Sequence, residues 1–133
     1  MESSTQVLAL AFLILPAGIA SASLLKNRVQ YWLAIHIALQ VAGWVLCTVG
    51  VALSYQKYGA VSTAEATLLG LVWANPLIAA VRPPKGSKMF PAWYKGHWAV
   101  GLIAVAAGWA YLASGLNQFK GLSNMAAPAI AAF

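Results

Sequence analysis

Two histidines are the residues of this 133-residue chain whose type and position point most directly to chemistry. His36 lies a few residues inside one long apolar run, and His97 lies a few residues inside another. An ionisable side chain is expensive to keep in hydrocarbon, and one found there usually has a function. Because a neutral imidazole nitrogen readily binds metals, the pair predicts a metal or cofactor site.

The two histidines lie at a similar depth on two different predicted helices. His36 is about five residues into the second of four apolar runs, and His97 is about four residues into the fourth. Both runs begin at the same end of the predicted bundle, and the helical rise puts each imidazole about 6–8 Å from that end. Two imidazoles at matched depth suit an iron porphyrin, which takes one nitrogen on each face of the metal. We therefore predict a haem, with His36 and His97 as metal ligands.

Further residues near the histidines are predicted to contact this cofactor. Gly43 and Gly101 lie on the histidine faces of their helices, where a missing side chain permits a flat macrocycle to approach. Gln40 is one turn beyond His36 and can donate a hydrogen bond. Several basic residues lie where the haem propionates would emerge and could pair with them, namely Lys26, Arg28, Lys85, Lys88 and Lys95.

The histidines are also compatible with a purely structural role or with a different metal. An intramembrane histidine can simply hydrogen-bond a neighbouring helix, and glycines are frequent where membrane helices pack together. A zinc ion suits the sequence less well, because two histidines are fewer ligands than zinc usually takes in proteins.

The composition identifies a membrane protein. Hydrophobic residues make up 62% of the chain and charged residues 8%, whereas about a quarter of a soluble domain is charged. Lipid must therefore cover part of the surface. The net charge of +6 does not indicate nucleic acid binding, because the basic residues lie mostly between the apolar runs, where membrane topology places them.

Four apolar runs are long enough to cross a bilayer. A hydrocarbon core of about 30 Å needs about 20 residues of helix at a rise of 1.5 Å each. The runs occupy residues 7–25, 31–54, 64–81 and 93–116. We predict an all-α integral membrane protein, a four-transmembrane-helix bundle that forms one domain over residues 1–133. Residues 117–133 are too few to span and are expected to form an irregular tail.

The basic residues also predict the orientation of the bundle. Six of the eight lie at one end, which we call the basic end, and they are Lys26, Arg28, Arg82, Lys85, Lys88 and Lys95. The positive-inside bias places this end on the cytoplasmic side or its organellar equivalent. Both termini are therefore expected on the non-cytoplasmic side. Glu65 lies near the opposite end and is expected at the water interface, with a proton relay as the alternative.

Four stretches of the chain resemble the cytochrome b561 family, in the order and spacing of that family. They read "ILPAGIASASLLK", "YWLAIHIALQVAGW", "ANPLIAAVRPP" and "PAWYKGHWAVG". The resemblance covers residues 15–115 and is closest to the membrane part that follows a DOMON domain in many eukaryotic members. It implies a cytochrome b561-like four-helix core.

The resemblance also implies which cofactor site is present and which is missing. Family members hold two haems b, one between the first and third core helices and one between the second and fourth. His36 and His97 match the second pair. The other ligands would fall near Ser3 or Ser4 and near Val61 or Ser62, where this chain has no histidine. The resemblance therefore implies a family core reduced to a single haem site.

Electron transfer is the function that this resemblance implies. In the family, two haems carry electrons across the bilayer from a reductant such as ascorbate, and one haem cannot provide that relay within a single chain. We predict a membrane b-type cytochrome that acts in electron transfer as a subunit of a larger membrane complex. It would be an electron carrier or oxidoreductase subunit rather than a self-contained enzyme. Its expected partners are lipid, other subunits, and ascorbate or another small reductant at the basic end.

Two alternative functions remain open. The chain could be a redox-inactive structural or assembly subunit of a membrane complex, derived from a cytochrome b561. It could also be a haem-bearing anchor of the succinate dehydrogenase type, although such anchors usually spread fewer spans over two chains.

Overall fold

The structure is a computed structural model that describes the backbone of residues 3–130 and the side chains of residues 3–115. Four α-helices make up this part of the chain. The helices are α1 (Ser3–Leu25), α2 (Trp32–Tyr58), α3 (Thr63–Ala80) and α4 (Phe90–Ile130). Each helix is long and apolar enough to cross a membrane. A helix satisfies its backbone hydrogen bonds within the segment, which hydrocarbon requires. The predicted all-α, four-span membrane fold is confirmed.

Each predicted span lies within an observed helix except for Tyr31 and Val81, which fall one residue outside. Before the tail, the helices extend beyond the predicted spans by at most four residues. The larger difference lies after the fourth span, where α4 continues to Ile130. The expected irregular tail is therefore helical as far as it is described, and residues 131–133 lie outside the described part.

A short connection joins α2 to α3 and has a defined cap on each side. Gly59 ends α2 in the left-handed conformation at φ 69°, and its N–H donates to the Tyr55 carbonyl at 2.8 Å. A left-handed φ carries a steric cost for residues that have a Cβ, and glycine avoids it. Ser62 caps the start of α3, where its hydroxyl accepts from the N–H of Glu65 and the Glu65 carboxylate accepts from the N–H of Ser62. This connection makes α2 and α3 antiparallel neighbours.

The helices pack as two hairpins that face each other. The most extensive contacts join α1 to α2 and α3 to α4, and smaller contacts join α1 to α4 and α2 to α3. Within the described residues, α1 and α3 do not pack together, nor do α2 and α4. These two pairs therefore occupy the diagonals of the bundle, with space between them in its interior.

Glycines on α2 permit the close approach of α1. A Cβ at Gly43 would lie 2.6 Å from the Leu15 side chain, and one at Gly50 would lie 2.7 Å from the Leu8 side chain. Both glycines and both leucines are spaced by seven residues, so each leucine fills the gap at one glycine as the helices run antiparallel. Small residues at membrane-helix interfaces allow such backbone proximity.

Phe12 packs in the same way against α4. Its side chain is fully buried, and a Cβ on Gly108 would overlap its ring.

We expect Gly108→Ala to lower the free energy of unfolding by about 1–3 kcal/mol, the usual cost of overpacking. Thermal unfolding in a single detergent measures this effect. Gly70→Ala is the matched control, because no atom lies within 4 Å of a Cβ there, and an equal loss in both variants would contradict the assignment.

Glu65 joins three helices at the end of the bundle opposite the basic end. Its Oε1 accepts from Ser54 of α2 at 2.6 Å and from the hydroxyl of Tyr111 of α4 at 3.1 Å. Its Oε2 accepts from the backbone N–H of Ser62 at 2.9 Å and from the hydroxyl of Ser62 at 2.7 Å. The side chain is 5% exposed, so it is enclosed by the packed end of the bundle, and its expected place at the depth of the water interface stays a prediction. Donors from α2, α4 and the cap of α3 make burial of this carboxylate acceptable.

We expect Glu65→Gln to destabilise the bundle by about 1.5–3 kcal/mol, because hydrogen bonds to a charged group have about that value. The glutamine amide would also direct a donor at hydroxyls that already donate. Thermal unfolding in the same detergent again provides the measurement. Ser114→Ala is a suitable control, because the exposed Ser114 hydroxyl bonds the Tyr111 carbonyl of its own helix. Equal stability of Glu65→Gln and wild type would show that the network does not hold the helices together.

Candidate cofactor site

His36 and His97 line one partly open cavity of about 270 Å³ between the two hairpins. His36 follows the start of α2 by four residues and His97 follows the start of α4 by seven, which is about 6 Å and about 10 Å of helix. The imidazoles thus come from diagonally placed helices, near the basic end, and reach the same space. The rest of the lining is mostly apolar, with side chains such as Leu15, Val41 and Val72.

A backbone carbonyl of α1 fixes the imidazole of His36. Its Nδ1 lies 2.7 Å from the oxygen of Gly18. A carbonyl oxygen only accepts hydrogen bonds, so Nδ1 must carry the proton and donate it. In the neutral ring, Nε2 then keeps its lone pair, which is the form that binds a metal.

The imidazole of His97 is held in a different way. Its ring stacks on Trp93, one turn earlier in α4, with ring centres 5.5 Å apart and an angle of 2° between the planes. The indole N–H of Trp93 donates to the Ile78 carbonyl of α3 at 2.7 Å, which fixes the indole in turn. The backbone carbonyl of Asn75 lies close to the His97 ring, yet Nδ1 makes no hydrogen bond of standard length and angle with any described residue.

Three buried polar atoms around the cavity have no hydrogen-bond partner in the described part of the chain. They are His97 Nδ1, Trp44 Nε1 and Asn75 Oδ1, and all three residues line the cavity. Buried polar atoms are nearly always paired in complete structures. The unpaired histidine and the two imidazoles that reach one apolar space fit a bound group that completes the site.

The number of ligands favours a porphyrin iron over a bare metal ion. Among the described residues, no three histidine, cysteine or acidic side chains come together in a way that could hold a metal ion. A macrocycle supplies four ligands to its iron and needs only axial ligands from the protein. Two histidines therefore fit a haem, and they are too few for a structural zinc site.

The structure brings two of the other predicted site residues to the cavity. Gln40 and Gly101 both line it. The Gln40 amide donates a hydrogen bond to the Leu15 carbonyl of α1 at 3.1 Å. A Cβ on Gly101 would lie 3.1 Å from the Asn75 amide nitrogen, so the glycine leaves room for the Asn75 side chain between α3 and α4.

Gly43 does not belong to this lining. It lies on the face of α2 that packs against Leu15 of α1. The spacing of seven residues from His36 places both on one side of the helix, but a helix has room on one side for two different neighbours. The expected contact of Gly43 with a cofactor is therefore corrected to a helix-packing role.

The basic residues of the predicted site lie outside the lining. Arg28, Lys85 and Lys95 are exposed, and none of them lines the cavity. The basic residue that does so is Arg82, whose guanidinium lies 5.6 Å from the ring centre of Trp93. This arrangement provides a cation at the rim of the cavity.

Arg82, Gly18 and Trp93 are site residues that the sequence did not indicate as such. Trp93 precedes His97 by four residues, the helical spacing of side chains that touch, and this spacing could have identified it. Gly18 contributes only its carbonyl, and a backbone group leaves no signal in the sequence. Arg82 follows α3 directly, and only the packing of α3 on α4 shows that it turns toward the cavity.

The fold and the cavity define the class of this protein, a four-helix membrane bundle in which imidazoles from two diagonal helices line one cavity. The chain is similar to a protein of Arabidopsis thaliana named as a cytochrome b561 domain-containing protein, at 25% identity over 117 residues. That match covers 80% of this chain and 46% of the relative, so the chain spans about half the length of the curated relative it matches. No family model matches the chain, and no solved structure matches it. The observed bundle is consistent with a cytochrome b561-like fold.

The hydrogen bond to Gly18 predicts the tautomer of His36. In cofactor-free protein we expect the neutral ring of His36 to carry its proton on Nδ1, because only that nitrogen faces the carbonyl. Nitrogen-15 NMR of histidine-labelled protein distinguishes the two ring nitrogens. The His97→Ala variant simplifies assignment, since the chain contains two histidines. A ring protonated mainly on Nε2 would contradict this geometry.

Proposed function

We propose that this chain is a membrane b-type cytochrome of the cytochrome b561 family, which binds one haem b between His36 and His97 and takes part in electron transfer. The observation that carries the proposal is the single cavity reached by both imidazoles from diagonal helices. The distant likeness to a cytochrome b561 domain-containing protein supports the same conclusion.

The residues around the cavity suit the separate parts of a haem. His36 and His97 would supply the axial nitrogens. The apolar side chains and Gly101 would accommodate the macrocycle, and Arg82 at the rim would pair with a propionate. When bound, the haem supplies a reversible one-electron change at its iron.

The opposite end of the bundle supports a count of one haem. Ser4, Val61 and Ser62 line a second cavity there, of about 480 Å³. These are positions at which the family resemblance implies the other pair of ligands, and no imidazole of the described residues lines this cavity. Glu65 also lines it, and its carboxylate is already hydrogen-bonded by Ser54, Ser62 and Tyr111.

A single haem near the basic end would exchange electrons at that end. With one haem on the chain, onward transfer needs a neighbouring subunit or a small molecule. We therefore propose that the chain works within a larger membrane complex. The cluster of basic residues at this end would attract an anionic reductant, such as ascorbate, by long-range electrostatics. The cytoplasmic placement of this end stays a prediction from the charge distribution.

A reduced-minus-oxidised absorption spectrum of purified protein tests the proposal. We expect a low-spin b-type spectrum with one haem per chain, because two imidazoles produce a strong axial field. The double variant His36→Ala/His97→Ala should bind haem at least about 10-fold more weakly than the wild type. Loss of only a hydrogen-bond partner of a metal ligand already weakens binding by about 10- to 100-fold. A haem assay on protein of known concentration gives the ratio.

Cys47→Ser provides the control, because Cys47 is buried in the core away from the cavity lining. Its spectrum should match that of the wild type. Wild-type protein that folds as a helical bundle but remains colourless after haem is supplied would overturn the proposal. That result would favour the redox-inactive structural or assembly subunit instead.

A further inference from the structure

Two buried polar atoms of the cavity remain without a partner once its histidines are assigned to a cofactor. They are the indole nitrogen Nε1 of Trp44 and the amide oxygen Oδ1 of Asn75, and both residues line the cavity. An indole N–H only donates a hydrogen bond, and an amide oxygen only accepts one. Because a buried polar atom without a partner lowers stability, each of them requires a group that the described side chains do not supply.

A backbone carbonyl of α3 provides a second acceptor at this cavity. Pro76 has no N–H, so the Val72 carbonyl four residues earlier lacks the donor that a helix otherwise supplies. Val72 and Pro76 lie on one side of α3, and both line the cavity. We call Trp44 Nε1, Asn75 Oδ1 and the Val72 carbonyl the inner polar cluster, which contains one donor and two acceptors.

The helix directions bring the members of this cluster toward each other. Trp44 follows the start of α2 by 12 residues, which is about 18 Å from the basic end, and Asn75 precedes the end of α3 by five residues, about 8 Å from it. Helical side chains lean toward the N-terminus of their own helix. Since α2 begins at the basic end and α3 ends there, Trp44 leans toward that end and Asn75 leans away from it. The Trp44 ring also packs edge-on against Trp73 of α3, with ring centres 4.7 Å apart.

A haem b does not supply partners for the inner polar cluster. The polar groups of haem b are its iron and its two propionates, and the proposed function assigns the iron to the imidazoles and a propionate to Arg82 at the rim. The remaining edge of the macrocycle carries methyl and vinyl groups, which neither donate nor accept conventional hydrogen bonds. The cluster therefore requires a second guest, one that accepts a hydrogen bond from Trp44 and donates to the two oxygens.

We propose that the inner polar cluster binds a buried water molecule, which accepts from Trp44 Nε1 and donates to Asn75 Oδ1 and to the Val72 carbonyl. Water has two protons to donate and lone pairs to accept, and a buried water typically makes about three hydrogen bonds to otherwise unpaired groups. The cavity of about 270 Å³ has room for it, since one water occupies about 30 Å³ in the liquid. The water connects α2 to α3 across the cavity, and its binding does not require the haem.

NMR of the Trp44 indole tests the water site in protein without haem. The chain contains six tryptophans, so nitrogen-15 labelling of tryptophan produces six indole signals, and the one that disappears in Trp44→Phe belongs to Trp44. We expect this indole proton to receive magnetisation from a long-lived water, because a water held by three partners exchanges more slowly than bulk water.

Substitutions on α3 identify the partners of the water. Asn75→Leu removes one acceptor at similar side-chain size and should weaken the magnetisation transfer at least several-fold. Pro76→Ala should weaken it too, because the new N–H takes the Val72 carbonyl as its helical partner. Thr67→Val is the matched control, since the exposed Thr67 hydroxyl bonds the Thr63 carbonyl of its own helix outside the cavity lining. It should leave the transfer unchanged.

Thermal unfolding provides a second measurement. If Trp44 and Asn75 share one water, either single substitution already disrupts its binding. The unfolding temperature of Trp44→Phe/Asn75→Leu should therefore fall by less than the sum of the two single decreases, because residues with a shared partner are not additive. Additive decreases would contradict a shared water.

The outcomes separate this inference from the proposed function. A Trp44 indole that receives no magnetisation from water in the wild type, or as much in Asn75→Leu as in the wild type, would overturn the water site and leave the cytochrome intact. Wild type that remains colourless after haem is supplied would overturn the cytochrome, and the water site would still be decided by the measurements on protein without haem.

Discussion

The close packing of α1 against α2 is the constraint on which the histidine site depends. Gly43 and Gly50 let the leucines of α1 approach the backbone of α2. Only at that separation can the His36 ring reach the Gly18 carbonyl. An imidazole in hydrocarbon without such a partner would carry a large desolvation cost. The packing of small residues therefore lowers the free-energy cost of the polar site.

Each end of the bundle contains buried polar side chains, and the two ends differ in how far those side chains are hydrogen-bonded. At the basic end, two imidazoles reach an apolar cavity and leave several polar atoms unpaired among the described residues. At the opposite end, the Glu65 carboxylate is satisfied by donors from its neighbours. A site that is complete by itself holds helices together, whereas a site with unpaired buried atoms is suited to receive a group from outside. This contrast supports the proposal of one cofactor at the basic end.

Much of the fold and the centre of the site could be predicted from the sequence. Hydrocarbon thickness sets the length of a span, so each of the four apolar runs falls inside an observed helix to within one residue. Helices joined by short connections run antiparallel, so α2 and α4 begin at the same end of the bundle, and His36 and His97 both lie near that end. Gly43 was assigned to the cofactor because it lies on the same side of α2 as His36. Helical spacing shows which residues share a side of a helix, but it does not show what packs against that side. The tail beyond residue 116 was expected to be irregular because length alone excluded a further span.

The sequence by itself determined that the chain has four spans and that two histidines lie at similar depth, because apolar length and helical rise are local properties. Only the tertiary structure decided that α2 and α4 lie diagonally, that Gly18 supports His36, and that Arg82 rather than the exposed lysines reaches the rim of the cavity. These features depend on which helix faces meet, and that choice is made by side-chain packing between segments distant in the chain. The type of a residue does not show which group its backbone carbonyl will contact or where a long side chain will point. Both depend on how the helices pack.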